Sequence, residues 1–171
     1  MNKLYYKKMK KLTFLGISLL IIIFLSSCAG YEPVFSSSKI KFEISNYSIE
    51  GNKKLGKQIY SKLYNLSRSK NDDENVMNFN IVIKVKKNKD STSKDSAGKT
   101  LEYKINLDAN IVIINALNDE KILDQNFIAG QAYKVQDQYS ETIKLENKTL
   151  DTLINKIYQD ILIQLVNNIS S

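Results

Sequence analysis

The residue best equipped for chemistry is Cys28, the only thiol in the 171-residue chain. It follows Leu25-Ser26-Ser27: an aliphatic residue, two small residues, then cysteine. That order is the bacterial lipobox. The Cys28 thiol is the nucleophile that accepts a diacylglyceryl group. The small side chains of Ser26 and Ser27 let a signal peptidase reach the bond before Cys28. The amine freed by cleavage then takes a further acyl chain. Leu25, Ser26 and Ser27 are therefore the expected peptidase recognition residues, and Cys28 the expected lipid-attachment site. The preceding segment fits this reading. Lys3, Lys7, Lys8, Lys10 and Lys11 form a positive leader, and the apolar run Thr13 to Leu25 has the length of a signal-peptide core. It is shorter than the ~20 apolar residues of a comfortable membrane span. Several acyl chains, at ~0.8 kcal/mol per buried CH₂, hold where one would not. Ala29 follows the cysteine. Asp at that place resembles a Gram-negative inner-membrane retention signal, so its absence points to the outer membrane, on the periplasmic side.

Little else offers chemistry. The chain has no His and no Trp. Without His, the Ser-His-Asp and Cys-His arrangements and most zinc sites are gone. One Cys excludes an internal disulfide and a CxxC redox pair. No GxGxxG or phosphate-binding loop pattern occurs. Asp72-Asp73-Glu74 is an acidic triplet, read as a solvated loop. The expectation is a protein that is not an enzyme, with no catalytic residue, no metal and no cofactor beyond the lipid on Cys28.

The net charge of +7 suggests a nucleic-acid partner, but the distribution does not. Removing the five leader lysines from the 25 basic groups leaves 20 against 18 acids, a formal +2 for the rest. That is a balanced solvated surface rather than a phosphate-binding stripe. One local cluster stands out: Lys84, Lys86, Lys87, Lys89, Lys94 and Lys99. It has two readings. It protects and solubilises a sheet edge, or it contacts an anionic partner such as lipid phosphate.

The elements behind these residues follow from periodicity. Residues 1–27 read as a cleaved signal peptide, 28–38 as a lipidated tether with the chain's only proline, Pro33, and 39–171 as one domain. Ile40, Phe42 and Ile44 alternate with polar residues, as in a half-buried strand. Gly51-Asn52 marks a turn, with Asn52 as helix N-cap. Leu55, Ile59, Leu63 and Leu66 line one helix face, with Tyr60 and Tyr64 at its flank. Met77 to Val85 alternates as a strand, and Lys86 to Lys99 reads as a polar loop. Leu101 to Ile113 alternates most strongly. Leu117 to Glu120 is a hairpin turn, and Leu123, Phe127, Ala129 and Tyr133 form a further strand. A helix with one apolar stripe covers 150–169, with a start as early as Ser140. The expected fold is α+β, order β-α-β-β-β-α: a two-layer sandwich with both helices on one face of a four-stranded sheet. The last three strands form an antiparallel meander.

The segment Cys28-Ala29-Gly30-Tyr31-Glu32-Pro33-Val34-Phe35 resembles the mature start of LptE-type lipopolysaccharide-assembly lipoproteins, especially alphaproteobacterial ones. Those begin with Cys, Gly, an aromatic, then Pro-Leu-Tyr. Here Ala29 is inserted, and Val34-Phe35 replaces Leu-Tyr. The element order is similar too: Thr100 to Tyr133 resembles the family's central hairpin, and the last helix its close. The resemblance implies a partner, the LptD-type outer-membrane β-barrel, whose lumen the lipoprotein plugs. It also implies direct contact with lipopolysaccharide. The lysines of the 84–99 region are candidates for that contact by charge alone. The competing reading is an envelope lipoprotein that binds another ligand or scaffolds a different complex.

The lipidation reading is tested by metabolic labelling with a radioactive or clickable fatty acid. Cys28→Ala abolishes incorporation; labelling that persists contradicts the assignment.

Overall fold

The computed structural model describes residues 41–67 and 76–169. The lipobox residues Leu25, Ser26, Ser27 and Cys28, the 28–38 tether, Ile40 and the acidic triplet lie outside them. The elements are β1 (Phe42–Gly51), α1 (Lys53–Ser67), β2 (Met77–Lys94), β3 (Thr100–Asn115), β4 (Lys121–Lys134) and α2 (Tyr139–Ile169). The strands form one sheet in the order β1-β2-β3-β4. The expected β-α-β-β-β-α order, and the antiparallel meander of the last three strands, are what the structure shows. The sheet is mixed, because β1 runs parallel to β2 at one edge.

Strict alternation makes one sheet face apolar. Phe79, Ile81, Ile83 and Val85 of β2 are buried, as are Ile105, Leu107, Ala109, Ile111 and Ile113 of β3. The strand register sets Ile83 opposite Ile111 and Leu107 opposite Ala129, so these side chains share one face. Both helices cover it. Leu55, Ile59 and Leu63 of α1 and Leu153, Ile154, Ile157, Ile161 and Leu165 of α2 complete the core. The opposite face is open and polar, with Asn80, Asn106, Asp108 and Asn110 among its residues.

The β1–α1 corner depends on backbone geometry. Gly51 has φ +72°, and a Cβ there would collide with the Val85 carbonyl. The next amide, Asn52 N–H, donates to that same carbonyl at 2.8 Å. Asn52 then caps α1, its Oδ1 accepting from the Leu55 amide at 3.2 Å. Gly56 lets the helix approach the sheet, since a Cβ there would strike Ile49. Tyr47 of β1 stacks on Tyr60 at 3.9 Å between ring centroids, and Tyr60 on Tyr64 at 5.6 Å.

One expectation needs correction. Lys86 to Lys99 is not a polar loop. β2 and β3 remain paired out to Lys94–Thr100, and only a tight turn connects them. Asp95 makes that turn: its Oδ1 accepts from the Ala97 and Lys99 amides, both at 2.9 Å, and Gly98 takes φ +82°. Every residue from Asn88 to Lys99 is exposed, and beyond Lys89, whose partner Ile105 is still buried, both faces of this ladder are wet. No apolar alternation is required there, and none shows in the sequence. The last helix begins at Tyr139, one residue from the earlier start that its pattern allowed, Ser140. Its first turns meet the sheet largely with Thr142, Glu146 and Thr149, with Leu145 half-buried beside them.

Ile157 is fully buried on α2, whereas Leu117 in the β3–β4 turn is 81% exposed. Ile157→Ala lowers unfolding free energy by about 2–5 kcal/mol, and Leu117→Ala changes it by less than about 0.5 kcal/mol. Urea denaturation measures both.

Candidate functional site

The candidate lysines are dispersed by the pleat of β2. Lys84 and Lys86 point to the open face. Lys84 pairs with Glu50 of β1 at 3.1 Å, with both side chains about half exposed. Lys86 lies opposite Asp108 of β3. Lys87 and Lys89 point the other way, towards the helices. Lys94 and Lys99 stand at the exposed end of the hairpin. A run of lysines close in sequence thus becomes three separate pairs.

The helix-facing pair meets Glu146. This residue sits one turn after Thr142 and two turns before Leu153, on the stripe of α2 that faces the sheet. Only 14% of its side chain is exposed. Lys87 Nζ lies 2.8 Å from its Oε1 and Lys89 Nζ 2.6 Å from its Oε2. Tyr133 of β4 donates its hydroxyl to Oε2 at 2.9 Å. Lys89 also lies 4.3 Å above the Tyr103 ring and 5.6 Å from the Tyr133 ring, close enough for cation–π attraction. Three elements converge on this one carboxylate.

The electrostatics follow from that convergence. Burial alone would raise the Glu146 pKa. Hydrogen bonds from Lys87, Lys89 and Tyr133 outweigh it and hold the carboxyl at about 2, below the ordinary 4.5. Burial likewise opposes the charge on Lys89, but its bonds to Glu146 and Tyr133 prevail and the pKa is raised. Tyr133 is pushed up, first by burial. A carboxylate fixed between two ammonium groups is a poor proton donor or acceptor near neutrality. The arrangement secures α2 against β2 and β4. It also neutralises cations that the alternation would otherwise leave under the helix.

The α2 N-terminus lies beside this cluster. Thr142 Oγ1 accepts the Gln136 amide at 2.8 Å, and Lys89, Lys99, Tyr103 and Tyr139 surround a shallow depression there. Among the described residues, no group of three or more His, Cys, Asp or Glu is placed to hold a metal. No described helix is long and apolar enough to cross a membrane.

Sequence reasoning did not connect Lys87 and Lys89 to Glu146 and Tyr133. Two signals were present. Odd-numbered positions of β2 face the core, and Glu146 shares the helix stripe of Leu153 and Ile157.

Two solved structures of similar fold bear lipoprotein names. Lipoprotein B from Nitrosomonas europaea matches with a TM-score of 0.54 at 16% identity, covering 77% of this chain and 87% of its own. A Caulobacter crescentus protein assigned as a lipoprotein matches with a TM-score of 0.52 at 12% identity, covering 75% of this chain and 90% of its own. At these identities the likeness establishes the fold. No family model matches the chain, and no curated relative matches its sequence.

Because the Glu146 pKa is depressed, its stabilisation is complete above about 4.5 and is lost as pH falls towards about 2. Glu146→Gln is therefore less stable than the parent at neutral pH, and the gap narrows as pH falls through that window. Urea unfolding at a series of pH values measures the gap; a gap independent of pH contradicts the assignment.

Proposed function

We propose that this chain is a lipid-anchored outer-membrane protein that plugs and supports an LptD-type β-barrel during lipopolysaccharide assembly. It has no catalytic activity and no cofactor beyond the lipid on Cys28. The observation that carries the reading is a conjunction. A lipobox cysteine precedes a strand–helix–three-strand–helix domain, and solved proteins of similar fold bear lipoprotein names. The short segment from Cys28 to Phe35 adds the resemblance to the LptE family.

The geometry suits such a role. The lipid tether, residues 28–38, is short, so the domain works close to the membrane surface. The domain is a packed two-layer unit whose open sheet face is rich in amides and charges, suited to a hydrated barrel wall. The β2–β3 hairpin extends as an exposed ladder and carries Lys94 and Lys99 at its end. Those two are the lysines best placed to meet lipid phosphates, competing there with divalent cations. Lys87 and Lys89 are engaged by Glu146, so their part is to hold the hairpin's base. Lys84 and Lys86, on the open face, are placed to contact the barrel wall.

The test is a mild-detergent pull-down of C-terminally tagged full-length protein from outer membranes, read by mass spectrometry. A stoichiometric large β-barrel protein is recovered and survives salt washing, because an enclosed fit is screened little by salt. Recovery with soluble periplasmic proteins instead, or loss of the barrel at moderate salt, overturns the plug reading. That result favours a lipoprotein that scaffolds another complex or binds a different ligand.

A further inference from the structure

The two edges of the sheet are unlike each other. β1 is interrupted by an irregularity between Ile44 and Asn46, and Glu43 and Glu50 place charges along it. Bulges and charges of this kind discourage pairing with another strand. β4 keeps such features to its ends: its register breaks between Leu123 and Lys121, and Lys121, Asp124 and Lys134 flank its middle. Its register with β3 is unbroken from Leu123 to Lys134. The stretch Gln125-Asn126-Phe127-Ile128-Ala129-Gly130-Gln131-Ala132-Tyr133 contains no charge and no proline. Ile128 is 66% exposed within it.

The outward hydrogen-bonding groups can be assigned. The Val135 amide donates to the Leu101 carbonyl at 2.9 Å, so odd-numbered residues of β4 turn their backbone groups towards β3. In an antiparallel ladder the alternate residues turn theirs the other way. Asp124, Asn126, Ile128, Gly130, Ala132 and Lys134 therefore direct N–H and C=O groups away from the sheet. The Ile122 carbonyl, in the same series, is satisfied by the Asn168 side chain at 2.7 Å. That bond closes one end of the edge and leaves the stretch beyond it open.

We propose that this edge pairs with the same edge of a second copy, antiparallel about a two-fold axis through Ala129. Pairing requires outward residues to meet outward residues. An axis at Ala129 satisfies this, setting Ile128 opposite Gly130 of the second copy and Asn126 opposite Ala132. It also sets Asp124 opposite Lys134, and the symmetry makes that pair twice. Asp124 and Lys134 are the charges flanking the uncharged stretch, and both side chains lie on the open face; Asp124 is paired with Lys121 at 2.8 Å but stays 43% exposed, so Lys134 of the second copy joins that pair. Opposite charges in directly paired positions stabilise a ladder, whereas like charges destabilise it. The exposed Ile128 side chain comes to lie beside Gly130 of the second copy, against the Asn106 and Lys104 side chains that cover that glycine. The two sheets become one. Ile163 and Gln164 of α2, which border a shallow groove along β4, meet their counterparts across the axis. The inference does not depend on the barrel reading; it describes the chain whenever no other protein covers this edge.

The test uses purified full-length lipoprotein in detergent. Sedimentation and concentration-dependent amide exchange are measured for the parent, Asp124→Lys, Lys134→Asp and the double exchange. The parent dimerises, and the amides of Asn126, Ile128 and Gly130 exchange more slowly as concentration rises. Asp124→Lys weakens the dimer by about tenfold, with lysine now facing lysine, and so does Lys134→Asp. The double exchange restores it. Restoration separates a true pairing from two lipid anchors sharing one micelle, which no charge change would alter. Circular dichroism confirms that each variant folds. A monomer at tens of micromolar, or a dimer indifferent to all three variants, overturns the proposal.

Discussion

A sheet with one apolar face must have that face covered, and the rest of the domain follows from this requirement. The odd-numbered positions of β2 and β3 form a continuous aliphatic surface from Phe79 to Val85 and from Ile105 to Ile113. Each such side chain contributes roughly 1.5–3 kcal/mol when taken out of water. Two helices on one side are the cover. α1 reaches the sheet because Gly51 and Gly56 permit close approach, and α2 because its stripe runs from Leu153 to Leu165 without interruption. The ion cluster at Glu146 is subordinate in energy. It arises where the aliphatic surface ends but the helix continues, at Lys87 and Lys89. There a single carboxylate satisfies two cations and a phenol that would otherwise be partly buried without partners.

How much of this was legible in the sequence depends on where water reaches. Where one face is wet and the other dry, period-two and period-3.6 patterns appear and the elements read directly: Met77 to Val85, Leu101 to Ile113, Leu55 to Leu66. Where both faces are wet, as between Asp90 and Lys99, alternation has no reason to exist. A hairpin there has the same composition as a loop. Where a helix covers polar positions, as at Thr142, Glu146 and Thr149, the apolar stripe thins and leaves the helix start open between 140 and 150. The parallel pairing of β1 with β2 was not legible, since it rests on long-range contacts such as the Asn52 amide on the Val85 carbonyl. For the site, charge identified the lysines, while the parity of position decides which are engaged by Glu146 and which reach solvent.

The division of the lysines ties fold to function. A cation held at 2.6–2.8 Å by a largely buried carboxylate is costly to redirect to another anion, so Lys87 and Lys89 stiffen the base of the hairpin. Lys94 and Lys99 carry no such obligation in the geometry of the turn, where Asp95 instead bonds backbone amides. A stiff ladder with cations at its end is a mechanical means of holding charge away from the domain body. Under the proposed reading, that charge meets lipid phosphate near the membrane.

The plug reading makes one demand that no one-sided docking shares: the partner must surround the domain. Photo-cross-linking amino acids placed in the full chain at Lys94 on the hairpin end, Lys104 on the open sheet face and Asn155 on the outer side of α2 test this in intact cells. The account predicts adducts from all three positions to one and the same β-barrel protein. Adducts from a single face, or to different proteins from different faces, would contradict it.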